Sequence, residues 1–250
     1  SCRLKRSLIM LKFKILRSAF LGKAVSMNHF VFLILMSSFL SSGTFKLFAK
    51  EPSSRIRSLY VQCTKCHGEK LEGNKELEAP ALAGQHAWYL KEQLEYFKVG
   101  ARGKKPKDYS GGKMYAMTKT LSRDDINLIS DYIATLTPAK LTHKIRGNPA
   151  KGEQSFQICS TCHGKQAEGN KILHAPKLQG LNDWYIRSQL KKYQNELRGY
   201  DAIKAPLSAG MIGMSRTLVD DQAIDNVIDY ILALQGQRGT GGESGKSKSK

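Results

Sequence analysis

The chain has 250 residues, room for one large domain or two ordinary ones, and 41% of them are hydrophobic, enough for a packed core. Its 22 Gly and 7 Pro are too few for a collagen-like chain. A formal charge of +19, from 40 Lys plus Arg against 21 Asp plus Glu, points to nucleic acid, a membrane surface or an acidic partner, unless segments outside the fold hold that charge.

Two terminal segments hold more than half of it. Residues 1–49 carry eight basic residues (Arg3, Lys5, Arg6, Lys12, Lys14, Arg17, Lys23, Lys46) and no acidic one. A mainly apolar stretch, Phe30 to Leu40, is followed by Ser41, Ser42, Gly43 and then Ala49. That order is a secretory leader, with cleavage near Ala49 or at Gly43. The stretch is short of the roughly 20 apolar residues of a membrane-spanning helix, which leaves an uncleaved anchor as the alternative. Met27, just before it, is an alternative start. At the other end, residues 235–250 are mostly Gly, Ser and Lys, the composition of a disordered basic tail.

Between these segments the chain reads as helices and loops. A helix is expected from Ser54 to Cys63, leading into Cys63-Thr64-Lys65-Cys66-His67. A Gly-rich loop containing Pro80 follows, with no alternation of strand type. Trp88 to Val99 has apolar residues at helical spacing, Trp88, Leu90, Leu94 and Phe97. A polar loop then leads to Met114 and Met117, expected in a loop. A last helix runs from Asp124 to Leu136, its acidic start matching the helix dipole. Then the pattern returns: Pro149 to Ile158, Cys159-Ser160-Thr161-Cys162-His163, Pro176, Trp184 to Glu196, Met211 and Met214, and Asp220 to Leu234.

The offset between the copies is 96 at Gly68/Gly164, Pro80/Pro176, Trp88-Tyr89/Trp184-Tyr185, Gln93-Leu94/Gln189-Leu190 and Arg102-Gly103/Arg198-Gly199. It becomes 97 at Met114/Met211 and 98 at Asp131-Tyr132-Ile133/Asp229-Tyr230-Ile231, two single-residue insertions in the second copy. A repeat of this length is a duplicated domain. The expected organisation is a leader over 1–49, a first domain over 50–140, a linker over 141–148, a second domain over 149–234 and the tail over 235–250.

Cys-x-x-Cys-His is the attachment signature of c-type haem. Residues three and four apart share one face of a helical turn. Cys63 and Cys66, or Cys159 and Cys162, can thus reach the two haem vinyl groups, with His67 or His163 beneath the iron. A zinc site would need four ligands closing on one metal, whereas these motifs stand 96 residues apart in separate surroundings. Two covalent haems are the reading. Each needs a sixth ligand, and a methionine there raises the potential. One methionine of each pair is expected to serve, the other to fill core. His86, His143 and His174 are rival ligands without a His in the other copy, and are expected at the surface.

The chain resembles a dihaem cytochrome c of the cytochrome c4 type, two class I cytochrome c domains in tandem. The resemblance spans about 54–234. It rests on both haem motifs, on Pro80-Ala81-Leu82-Ala83-Gly84-Gln85, on Tyr89-Leu90 with Gln93-Leu94, and on Met114 before Leu121-Ser122-Arg123-Asp124-Asp125. It implies an all-α fold, each domain wrapped around one covalent haem c. It also implies iron ligation by His67 and Met114, and by His163 and Met211, in preference to Met117 and Met214. The carbonyls of Pro80 and Pro176 would accept a hydrogen bond from the ligand histidines, and Arg102 and Arg198 would meet haem propionates, a solvated charge being the alternative for the two arginines. The second copy departs from the pattern at Leu181 for Gln85 and Val219 for Ser122.

The expected function is one-electron transfer without catalysis, since ligation on both haem faces leaves no substrate site. An exported chain of this kind belongs in the periplasm, free or at the membrane surface. It would take electrons from a donor such as a quinol–cytochrome c reductase and pass them to a terminal oxidase or reductase. A haem subunit of a larger oxidase or dehydrogenase is the alternative, and a dihaem peroxidase fits less well. A basic loop (Arg102, Lys104, Lys105, Lys107, Lys113) is expected to steer docking. No nucleic-acid recognition motif is present.

Overall fold

A computed structural model describes residues 52–234 and 236. The expected leader, Met27, the cleavage sites and the tail lie outside the described residues, apart from Gly236. Eight α-helices are found among the described residues, in two runs of four. The first run is α1 (Ser54–His67), α2 (Ala87–Lys98), α3 (Tyr109–Thr118) and α4 (Arg123–Thr135). The second is α5 (Pro149–His163), α6 (Asp183–Gln194), α7 (Pro206–Arg216) and α8 (Asp221–Leu234). No strand occurs among them; the only pairings of strand type are the bridges Asn74–Ala79 and Asn170–Ala175, which pinch equivalent loops. No described helix is long and apolar enough to cross a membrane.

Two differences from the sequence reading bear on the site. The motif-bearing helices run on through the Cys-x-x-Cys-His segments and end at His67 and His163. The methionines lie on helices, α3 and α7, and not in loops. The Gly pairs in α3 and α8's neighbour α7 hide these helices from a propensity argument, because Gly weakens a helix by about 1 kcal/mol.

Local signals set the helix starts. The Ser53 hydroxyl accepts from Ile56 N at 3.3 Å. The Asn148 side chain accepts from Ala150 N and Lys151 N ahead of Pro149. Ser122 and Asp125 form a reciprocal capping box, each side chain bonded to the other's backbone N–H at 3.0 Å. Inside, Leu59, Leu71, Leu90, Ile129 and Ile133 form the first core. Phe156, Ile186, Val227, Ile228 and Ile231 anchor the second. Each such side chain contributes about 2 kcal/mol by leaving water.

The segment between α4 and α5 has no regular structure but is pinned. Asp183, at the start of α6, accepts from Lys144 N at 2.5 Å and Ile145 N at 2.8 Å. His143 is buried beside it, its Nδ1 4.0 Å from Asp183 Oδ1, so the surface position expected for His143 does not hold.

Candidate haem sites and the interface between them

Each Cys-x-x-Cys-His motif occupies the last turns of a helix, α1 or α5. Gly68 and Gly164 stop those helices at φ 87° and 82°, and their N–H groups donate back to Thr64 O and Ser160 O. The i, i+3 and i+4 positions thus share one face, the arrangement two thioether bonds and an iron ligand require. No disulfide joins Cys63, Cys66, Cys159 or Cys162, so all four sulfurs remain for thioether attachment. Burial, helped by the neighbouring Cys66, pushes the Cys63 thiol up to about 11.

The two histidines are buried and identically held. His67 Nδ1 lies 2.7 Å from Pro80 O, and His163 Nδ1 lies 2.8 Å from Pro176 O. A carbonyl only accepts, so Nδ1 carries the proton and Nε2 keeps its lone pair. Burial pushes both imidazoles below the usual range while the carbonyl bonds pull the other way. A neutral ring with a fixed tautomer and a free Nε2 is what a haem iron takes. Met114 and Met211 are half-buried on α3 and α7; Met117 and Met214 are 40% and 39% exposed.

Arg102 and Arg198 are buried, which rules out solvated charges. They lie at the heart of a reciprocal network between the domains. Arg102 donates to Gln93 Oε1 at 2.8 Å within its own domain, and across to Gln189 Oε1 at 2.9 Å and Tyr185 Oη at 3.0 Å. Arg198 donates to Gln189 Oε1 at 3.0 Å, and across to Gln93 Oε1 and Tyr89 Oη at 2.9 Å. Two buried guanidiniums share these acceptors, all of them neutral. Arg198 Nε is buried with no hydrogen-bond partner among the described residues. An orphaned cationic donor beside a second buried arginine fits an anionic oxygen, and a haem propionate supplies one.

The burial of Arg102 removes it from the proposed steering loop, whereas Lys104, Lys105, Lys107 and Lys113 are exposed. His86 and His174 are not core residues either. His86 Nε2 lies 2.9 Å from Glu168 O and His174 Nδ1 2.7 Å from Glu92 Oε1, and both rings flank Trp88. Asn182, the counterpart of His86, donates to Glu72 O and accepts from Ala81 N. The sequence shows the repeated Tyr, Gln and Arg positions but not that they meet each other. Their signal was a polar set repeated at one offset without any motif to explain it.

Comparisons with known proteins agree with this architecture. The family model for cytochrome c matches twice, over residues 53–137 and 149–235. Cytochrome c4 of Stutzerimonas stutzeri is 31% identical over 153 residues, covering 56% of this chain and 70% of that protein. A protein of Thiomonas intermedia called thiosulfate dehydrogenase electron acceptor is 29% identical over 154 residues, covering 57% of this chain and 67% of its own. The solved structure of Acidithiobacillus ferrooxidans cytochrome c4 superposes with a TM-score of 0.57 at 23% identity, over 68% of this chain and 97% of that one. With two family domains in tandem, each bearing its own Cys-x-x-Cys-His helix and each thereby implying one covalent c-type haem, the chain belongs to the cytochrome c family and is of the dihaem cytochrome c4 type.

Proposed function

We propose that this protein is an exported, periplasmic one-electron carrier of a respiratory chain, with His67 and Met114 as axial ligands of the first haem and His163 and Met211 of the second. The observation that carries this reading is the pair of buried histidines whose Nδ1 is committed to Pro80 or Pro176, leaving Nε2 for iron. The half-burial of Met114 and Met211, against the exposure of Met117 and Met214, favours the former pair. The haem, when bound, supplies the ferric–ferrous couple.

The chain's own residues hold and tune. Cys63, Cys66, Cys159 and Cys162 anchor the group covalently. Pro80 and Pro176 orient the imidazoles and raise their basicity. Arg102 and Arg198, buried at the domain interface, would supply positive charge for haem propionates. Ligation on both faces leaves no room for a substrate on the metal, so the protein is not an enzyme on this reading. Lys104, Lys105, Lys107 and Lys113 steer an acidic partner. Reversing their charge slows electron transfer at low ionic strength and has little effect at high salt; rates insensitive to both salt and charge reversal would remove the steering role.

The ligation test is an absorption spectrum of the pure ferric protein with its intact mass. Two covalent haems and a far-red band of Met–iron ligation are expected. A high-spin spectrum, or a mass without haem, would refute it. A second reading has its own support: relatives named as electron acceptors of thiosulfate dehydrogenase suggest a carrier dedicated to a dehydrogenase. Native mass of the protein from its source separates a free carrier from a subunit of a complex.

A further inference from the structure

One ion pair across the domain interface is not duplicated by the repeat. Lys192, on α6 of the second domain, reaches into the first. Its Nζ donates to Asp108 Oδ1 at 2.6 Å and to Ser110 Oγ at 2.6 Å. The Lys192 side chain is 14% exposed and that of Asp108 2%, so the charges are withdrawn from water together. Asp108 is the N-cap of α3, the helix that carries Met114. Its Oδ1 also accepts from Gly111 N at 3.2 Å, and its carbonyl accepts from Gly112 N at 2.7 Å. Gly111 is fitted to the cap, since a Cβ there would lie 2.1 Å from Asp108 Oδ2. Ser110, one turn before Met114, is the other group that Lys192 holds. A single side chain of the second domain therefore fixes both the cap and the first turn of the first domain's methionine helix.

The second methionine helix has nothing like it. Ala205, Leu207 and Tyr96 stand at the positions equivalent to Asp108, Ser110 and Lys192. No side chain caps α7. Its first turn is held from within its own domain, by Tyr193 Oη and Ser208 Oγ at 3.1 Å.

We infer that Lys192 is a positioning residue for the sixth ligand of the first haem: through Asp108 and Ser110 it seats α3, and makes retention of Met114 on iron depend on the second domain. This rests on the ligand reading proposed above. A carboxylate at a helix N-terminus with a charge-assisted bond to a lysine is strongly held. Removing one member leaves the other charged and buried, which loosens the element that bears it, whereas removing both together does far less harm.

The test uses the full-length ferric holoprotein, its far-red Met–iron band and displacement of the methionine by imidazole. The parent protein comes first. If it lacks Met ligation at two haems, the ligand reading fails, and this inference with it, before any variant is made. Given two such haems, Lys192→Met is expected to split the titration: one haem gives up its methionine at about tenfold lower imidazole, the other is unchanged. Lys192→Arg restores the parent curve. The double variant Lys192→Met/Asp108→Asn keeps an acceptor for Gly111 N and is less perturbed than Lys192→Met alone, so it answers the question even if the single variant folds poorly. Lys191→Met, removing a neighbouring lysine that pairs with the exposed Asp221, serves as control. Parent-like titrations for Lys192→Met, or an equal shift at both haems, would overturn the inference.

Discussion

The two domains repeat one pattern of helices but close it differently where their first and last helices cross. In the second domain Gly152 of α5 lies against Asn226 of α8, and a Cβ at that glycine would sit 2.0 Å from Asn226 O. Asn226 Oδ1 also accepts from Asn148 N at 2.7 Å, tying the start of α5 to the crossing. In the first domain Ile56 stands at the position of Gly152. There the tie is electrostatic: Arg55 donates twice to Asp125, at 2.7 and 2.6 Å. One crossing is set by backbone approach and the other by a charge-assisted fork, with the same topology as outcome. Duplication preserved the geometry of the site and left the means of holding it free to diverge.

The sharpest way to break this comparison is to give the second crossing the residue of the first. Gly152→Ile forces α5 and α8 apart and costs about 3 kcal/mol. The reverse change, Ile56→Gly, loses half-buried surface and adds helix flexibility, for about 2 kcal/mol. Denaturant unfolding followed at the haem and by helix content reads both; equal costs would show that the crossings are closed alike. Of comparable size is the effect at a buried position where the copies differ, Ile228 and Ser130. Ile228→Ala is expected to cost about 3 kcal/mol by leaving a cavity. The Ser130 hydroxyl is buried with no hydrogen-bond partner among the described residues. Ser130→Ala is therefore expected to gain about 1 kcal/mol, measured in the same unfolding experiment. A loss there would mean that the hydroxyl is satisfied.

The smallest effect concerns pH. Hydrogen bonds from Arg55, and then from Ser122, hold the Asp125 carboxyl well below the usual carboxylate range. A group depressed in the folded state stabilises fully above its unfolded value of about 3.9, and that contribution fades as pH falls toward the folded value. Acid melting curves of the parent should thus fall more steeply below about pH 4 than those of Asp125→Asn. Salt should narrow the difference, because Arg55 is exposed. Superimposable acid limbs would remove the electrostatic half of the comparison.

Much of this architecture was legible in the residues. The haem motifs, the two prolines and the capped last helices rest on contacts three to four residues apart or on a fixed loop, which a repeated spacing exposes. What escaped was non-local or ran against propensity. The α3 helix contains Gly111 and Gly112 and reads as loop; it forms because Asp108 caps it and the second domain holds that cap. Arg102 and Arg198 read as propionate contacts or solvated charges, and only the Gln and Tyr side chains that α2 and α6 bring around them from both domains show that they are buried. His143 reads as a linker residue exposed to water, yet the bonds from the linker backbone to Asp183 draw it inside.

The reciprocal network of Arg102, Gln93 and Tyr89 with Arg198, Gln189 and Tyr185 has the form of a contact between two identical subunits, in which each residue meets its own copy's partner. The segment joining α4 to α5 turns that contact into an encounter within one chain, at an effective concentration no free pair would reach. Once joined, the two faces need no longer be the same. A lysine can be placed on one side and its aspartate on the other without either change being copied back, and a symmetric pair becomes a molecule whose two ends can be set to different tasks.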